Sequence, residues 1–300
     1  MRVLVTGANG FVGRNLCKHL VSAGHEVTAA VRTAGTAPQG TSEGVVGDIS
    51  NRPDWRVILE DQDAIIHLAA RVHIMKEESS NPLSEFRAVN VESIRLLARA
   101  AAELGVRRFV YLSSIKVNGE ATSAEPYSAW SRLEPMDPYG VSKAEGEAVL
   151  QAELGNTNVE SVIVRTPLVY GPGVGGNFIR MLRLVSKELP LPLGGIRNRR
   201  SMVSIWNLSD LLEPATRELF HMLAKRLGVR SRVFRFPTSL LPLAGMLTGQ
   251  SQEVRRLTDS LEVIPGSSTI GWNWRPNLSL EDGIGRTAVW YKTAHVGAAK

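Results

Sequence analysis

The stretch "RVLVTGANGFVGRNLCKHLVSAG" (2–24) constrains this chain most. A short β-rich run, 2–7, leads into three glycines and then into an amphipathic helix. That helix places Val12, Leu16, Leu20 and Val21 on one face and stops at Gly24. Gly7 makes the tight turn, Gly10 lets backbone approach a pyrophosphate, and Gly13 lets the helix sit close to the sheet. The start of such a helix offers N–H groups and a positive dipole end to phosphates. A plain flexible turn is the bland alternative.

More strand and helix patterns follow in alternation. "EVTAAVR" (26–32), "AIIHLAA" (64–70), "RRFVYLSS" (107–114) and "VESVIVRTPLVYG" (159–171) read as strands. "EFRAVNVESIRLLARAAAELG" reads as one long helix. Such alternation implies an α/β fold, a Rossmann-type doubly wound parallel sheet that binds ligands at the carboxyl ends of its strands. From about residue 172, Pro and Gly become frequent and the strands short. We therefore expect a dinucleotide-binding domain over 1–171 and a smaller mixed α/β lobe over 172–300, with some interleaving.

The end of the second strand carries Arg32, where a carboxylate would bond the ribose diol of NAD. An arginine there can pair with a 2′-phosphate, which favours NADP(H). The alternative is a solvated Arg32 and use of NAD(H). Asp48 of "GDI" is placed to bond the adenine amino group.

"MDPYGVSKAEGE" (136–147) holds Tyr139 and Lys143 at i, i+4. Asp137 has the character of an N-cap, and Pro138 suits the first helical position. A lysine ammonium beside a phenol near a helix N-terminus is expected to lower the phenol's pKa, which suits alcohol–ketone interconversion.

Together these residues resemble the extended short-chain dehydrogenase/reductase family, in its nucleotide-sugar epimerase and 4-keto reductase branch. "VTGANGFVG", "GDI", "HLAA", "VNVESIRLL", "YLSSIKVNG", "YGVSK", "VRTPLVYGPG" and "GW…P…SLEDGI" carry the resemblance, in order, over nearly the whole chain. It implies a catalytic triad of Ser114, Tyr139 and Lys143. Tyr139 would exchange a proton with the sugar hydroxyl, Ser114 would bond the same oxygen, and Lys143 would hold the nicotinamide ribose. It also implies a cofactor surface that includes Asn9, Phe11, Val12, Ile49, Leu68, Ala69, Ala70, Asn90 and Pro167. Ser113 would be a strand-end hydroxyl near the nicotinamide, and His67 would position rather than transfer protons. Asn90 would have a structural or proton-relay role. For the substrate, the resemblance implies that Asn177 and Arg200 contact the diphosphate of a UDP-sugar, with Arg199 an equal alternative to Arg200 on sequence alone.

Departures from the family pattern are informative. Ile115 and Lys116 stand where 4,6-dehydratases carry Asp and Glu, which argues against dehydration. Asn118 replaces a Tyr, and Leu168 replaces an Asn. Roughly two dozen residues, about a short helix plus a strand, are missing between Leu212 and Pro214.

The implied function is NAD(P)-dependent hydride transfer at C4 of a UDP-sugar, as epimerase or reductase, in surface polysaccharide synthesis. Two other readings stand beside it: an NADPH-dependent reductase of a non-nucleotide ketone, and a non-catalytic NADP sensor. A lone cysteine, Cys17, permits no internal disulfide and fits a reducing, cytoplasmic setting. Net charge is +6, but no nucleic-acid module accompanies the basic clusters. No metal-ligand pattern, signal peptide or membrane span is legible. The resemblance implies a homodimer built through helices beside "YGVSK".

Overall fold

The computed structural model describes residues 1–72, 81–122, 125–208 and 278–296. The apparent deletion after Leu212, the helix expected over 214–228 and the basic clusters at 230–235 and 255–256 lie outside these. Two compact units result: Met1–Gly119 with Arg132–Thr166, and Glu120–Ser131 with Pro167–Lys300. The first unit thus ends ahead of the boundary expected at residue 171 and excludes the short excursion 120–131.

The first unit is built on six parallel strands, β1 (Arg2–Thr6), β2 (Glu26–Val31), β3 (Ser42–Val45), β4 (Ala64–His67), β5 (Arg108–Ser114) and β6 (Glu160–Thr166). Their order is β3-β2-β1-β4-β5-β6. The strands read as near-continuous apolar runs because both faces are covered. Val3 and Val5 point to the face where Cys17, Leu16 and Leu20 of α1 (Phe11–Ser22) pack with Val27 and Ala29. Leu4, Ile65, Phe109 and Tyr111 point to the other face. There they meet Leu97 and Ala101 of α4 (Ser93–Glu103) and Leu150 and Leu154 of α5 (Pro138–Leu154). Burial pushes the Cys17 thiol up to about 11, as a core residue requires. The short helices α2 (Arg56–Leu59) and α3 (Pro82–Arg87) complete this unit.

Two elements differ from the sequence reading. The long helix is interrupted: α3 passes through a π turn, Ala88–Glu92, before α4 begins, and Asn90 lies in that turn. The run 159–171 is two strands, not one. β6 ends at Thr166, and after Pro167 the chain enters β7 (Leu168–Tyr170) in another sheet. Proline has no N–H to continue a ladder, so the break falls there.

In the second unit β7 pairs in parallel with β8 (Met202–Ser204). Tyr170 stacks on Phe178 of α6 (Gly176–Ser186) at 5.3 Å. The helix α7 (Leu280–Tyr291) starts at Ser279, whose hydroxyl accepts from the Asp282 N–H. No helix among the described residues is long and apolar enough to cross a membrane.

Candidate active site

The glycine turn forms the first part of the site. Gly7 has φ +66°, the left-handed region that favours glycine. A Cβ there would lie 2.8 Å from the Ala69 nitrogen, so β1's turn and the "HLAA" segment pack backbone to backbone. A Cβ on Gly13 would lie 2.2 Å from the Gly7 carbonyl oxygen. Gly10 is the N-cap of α1, and no side chain caps that end. Asn9 and Gly10 are exposed, and Phe11 and Val12 half-buried. The first-turn N–H groups of α1 thus remain available to an anion. These residues fit a dinucleotide pyrophosphate.

Thr6 explains the geometry of the neighbouring segment. Its hydroxyl oxygen accepts from the Leu68 N–H at 3.2 Å and the Ala69 N–H at 3.1 Å. Its own hydrogen therefore goes to His67 Nδ1, 2.8 Å away, which assigns His67 the tautomer protonated at Nε2. Burial, helped by the charge of Lys143, pushes His67 down to about 3. A neutral ring at neutral pH fits the expected positioning role. Ala70 is half-buried beside it.

Arg32 differs from the NADP(H) expectation. Its guanidinium is exposed and lies 3.5 Å from the Asp48 carboxylate. The other Asp48 oxygen accepts from the Ser50 N–H and hydroxyl, capping the 3₁₀ turn Ile49–Asn51. These bonds, with Arg32, hold the Asp48 carboxyl below its usual range. The loop after β2 also encloses a second carboxylate. Glu43 accepts from the N–H groups of Gly35, Thr36 and Ala37 at 2.9 to 3.2 Å, and the Gly35 bond leads in holding its carboxyl low. The cation is partnered and the loop amides already hold an anion, an arrangement poorly suited to a 2′-phosphate.

Asn90 is a clamp. Its Oδ1 accepts from the Arg71 N–H at 2.8 Å, and its Nδ2 donates to the Arg71 carbonyl and to Ser142 Oγ. Ser142 in turn donates to the Tyr139 carbonyl. The π turn supplies the bend that lets one buried amide join the segment after β4 to the first turns of α5.

The residues expected to be catalytic lie at the carboxyl end of β5 and in the first turns of α5. Asp137 caps α5 by accepting from the Gly140 N–H at 2.6 Å. Tyr139 and Lys143 then share a face of that helix. Ser114 Oγ accepts from the Lys116 N–H at 3.3 Å, and its hydroxyl acts on the Tyr139 phenol against the rise that burial causes. Lys143 is buried, donates to the Leu112 carbonyl at 2.8 Å and lies 4.5 Å over the Tyr111 ring. Phe86 meets Tyr139 edge-on at 6.1 Å.

The expected low phenol pKa is not found. Burial pushes Tyr139 up to about 12, opposed by the Ser114 hydrogen bond and reinforced by Asp137. Burial also brings Lys143 down to about 7. Desolvation of both groups outweighs the stabilisation that an ammonium gives a phenolate. The Tyr139 phenol is thus held in its neutral form in the chain without cofactor.

Ser113 turns away from Ser114, since successive strand residues face opposite sides. Its buried hydroxyl donates to Glu147 Oε1 at 2.5 Å. Ile115 is buried, and Lys116 is ion-paired with Asp137. Asn118 is buried and donates to the Arg132 carbonyl at 3.0 Å.

In the second unit, Pro167 is buried, Asn177 lies half-buried in the first turn of α6, and Leu168 is exposed. Arg200 is half-buried and donates to the Glu120 carbonyl, whereas Arg199 is exposed.

Residues 3–212 match the family described as NAD dependent epimerase/dehydratase. The chain belongs to that family. It is 38% identical to a UDP-glucose 4-epimerase from Vibrio cholerae over 95% of this chain and 94% of that protein. Its fold matches that of a dTDP-glucose 4,6-dehydratase from Streptomyces venezuelae, solved with NAD bound. The TM-score is 0.75 at 25% identity, covering 99% of this chain and 98% of that one. A UDP-glucose 4-epimerase from Thermotoga maritima, solved with UDP-glucose, matches with a TM-score of 0.76 at 18% identity, covering 98% and 99%.

Within this epimerase/dehydratase chain, the sequence reading missed Thr6, Glu147 and Arg165. Glu147 had a signal, because Tyr139, Lys143 and Glu147 form an i, i+4, i+8 series on one helix face. Arg165, set among apolar strand residues, meets Glu147 through Nη2 at 2.7 Å and through Nε. Thr6 had no signal beyond its place before Gly7.

Proposed function

We propose that this chain is an NAD-dependent 4-epimerase of a UDP-hexose or UDP-N-acetylhexosamine. The observation that carries the reading is the placement of Ser114 at the end of β5 and Tyr139 in the first turn of α5, with Lys143 buried one turn on and donating to the Leu112 carbonyl. The identity to the V. cholerae epimerase along nearly the full length of both chains supports the choice of reaction.

Each residue has a definable task. Tyr139 holds a proton at its phenol oxygen and delivers it to an alkoxide forming at C4. Ser114 bonds the same oxygen and fixes its position. In the oxidative direction the phenolate form of Tyr139 accepts the C4 hydroxyl proton and becomes the neutral phenol, and nearby positive charge lowers the cost of forming that phenolate. When bound, NAD supplies the hydride acceptor at C4 and, oxidised, such a positive charge. Gly7, Gly10 and Gly13 with the amides of α1 hold the pyrophosphate. Asp48 and Glu43, by occupying Arg32 and the loop amides, favour NAD over NADP. Asn177 and Arg200 are the diphosphate contacts we propose, the fork of Arg200 suiting phosphate oxygens. Ile115 offers no titrating group and Lys116 is paired, which supports epimerisation over 4,6-dehydration. The similarity of "RTPLVYGPGVGGNF" to enzymes of surface polysaccharide synthesis points to that use of the product.

A second reading, a 4-keto sugar reductase, is favoured by the neutral Tyr139 phenol, a ready proton donor. Purified protein incubated with UDP-glucose or UDP-N-acetylglucosamine, and with NAD or NADP, separates the two by proton NMR. Inversion at C4 with NAD, and weaker support from NADP, is the expected result. No inversion, but NADPH oxidation on a 4-keto sugar, would replace the first reading by the second.

A further inference from the structure

Three consecutive residues of β5 each grip α5. The Leu112 carbonyl accepts from Lys143 Nζ, the Ser113 hydroxyl donates to Glu147, and Ser114, which ends the strand, acts on the Tyr139 phenol. The outer two rungs hold the residues assigned to the reaction. The middle rung ends on a carboxylate with no task in it. Glu147 is 2% exposed, and it also holds Arg165 of β6, whose Nη2 and Nε approach at 2.7 and 3.0 Å. Arg165 is the register partner of Ser113. One carboxylate therefore ties α5, β5 and β6 together directly behind the reacting groups.

We propose that Glu147 is a positioning residue for this reaction: its buried carboxylate locks the end of β5 to α5 and sets a negative charge one helical turn from the Lys143 amine. The proposal rests on the epimerase reading for the reaction but not for the charge of Lys143.

The groups facing Lys143 support this. His67 from β4 is neutral, and Tyr111 from β5 presents its ring face, its phenol raised well above its ordinary range by burial. Tyr139 on α5 is neutral too. Arg165 on β6 is spent on Glu147. Glu147 is the anion that acts on Lys143, opposing the burial that lowers it to about 7. Inside a protein, where screening is weak, such a charge acts strongly over one helical turn. Neutralising it while leaving Arg165 in place removes the support and takes its carboxylate from the Arg165 guanidinium.

The test is a titration of protein labelled with ¹³C-lysine, read by NMR, with the Lys143 signal assigned by its loss in Lys143→Arg. In Glu147→Gln the Lys143 midpoint should fall by about one unit or more. The double variant Glu147→Gln/Arg165→Met also removes the guanidinium that has lost its carboxylate and should recover the melting temperature that Glu147→Gln loses. Its Lys143 midpoint should nevertheless stay below that of the wild type. An unchanged midpoint in Glu147→Gln overturns the proposal. So does a double variant that regains the wild-type midpoint along with its stability, since the role is then only structural. If Glu147→Gln does not fold, the double variant decides alone. The alkaline limb of the pH profile for C4 inversion should move in the same direction as the NMR midpoint. A shifted midpoint in a protein that inverts no UDP-hexose at any pH would sink the epimerase reading and leave the control of Lys143 standing.

Discussion

Replacing Tyr139 by Phe should lower the turnover of C4 inversion on the order of 10²–10⁴-fold, the usual worth of a positioned general acid–base. NAD affinity should change little. The substitution keeps the ring and its edge contact with Phe86, and removes only the phenol hydroxyl. The fold should survive, because a neutral group leaves and no charge is stranded. Steady-state kinetics together with a titration of NAD binding would check both halves. Turnover within a few-fold of the wild type would remove Tyr139 from the mechanism.

Substituting Gly13 by Ala should abolish NAD binding and cost roughly 3 kcal/mol or more of stability, at the upper end of overpacking effects. The new methyl would sit 2.2 Å from the Gly7 carbonyl oxygen and 2.7 Å from the Ala8 Cα. Both are backbone atoms and cannot turn aside as a side chain would. The turn would have to open, and with it the contact between Gly7 and Ala69. Gly10→Ala provides the contrast. Its methyl meets only the Gly7 carbonyl oxygen, at 3.2 Å, so the fold should persist while NAD binds more weakly. Urea unfolding and NAD titration of the two variants should give this order. Equal stability losses would mean that the turn tolerates displacement.

The parallel sheet was legible because apolar runs alternate with glycine-closed helices, and parallel strands buried on both faces leave that pattern. The glycine turn and the Tyr139–Lys143 helix were legible because their spacing follows local geometry: a turn of φ +66° and an N-capped helix with i, i+4 neighbours. The misread features depend on contacts distant in sequence. The pairing of Arg32 with Asp48 and the closing of the 35–37 amides on Glu43 depend on β3 lying beside β2. The raised phenol of Tyr139 depends on how deeply α5 beds against β5, which spacing along α5 does not reveal. The turning away of Ser113 follows from strand alternation and could have been read. Its partners Glu147 and Arg165 required the register of β5 with β6. The split of 159–171 into two sheets had its signal in Pro167.

The most direct test of hydride transfer at C4 uses UDP-glucose carrying deuterium at C4, incubated with the purified protein and NAD in ordinary water. The account predicts a product inverted at C4 that retains its deuterium at C4. Deuterium lost to water during inversion, or inversion at another carbon, would contradict it.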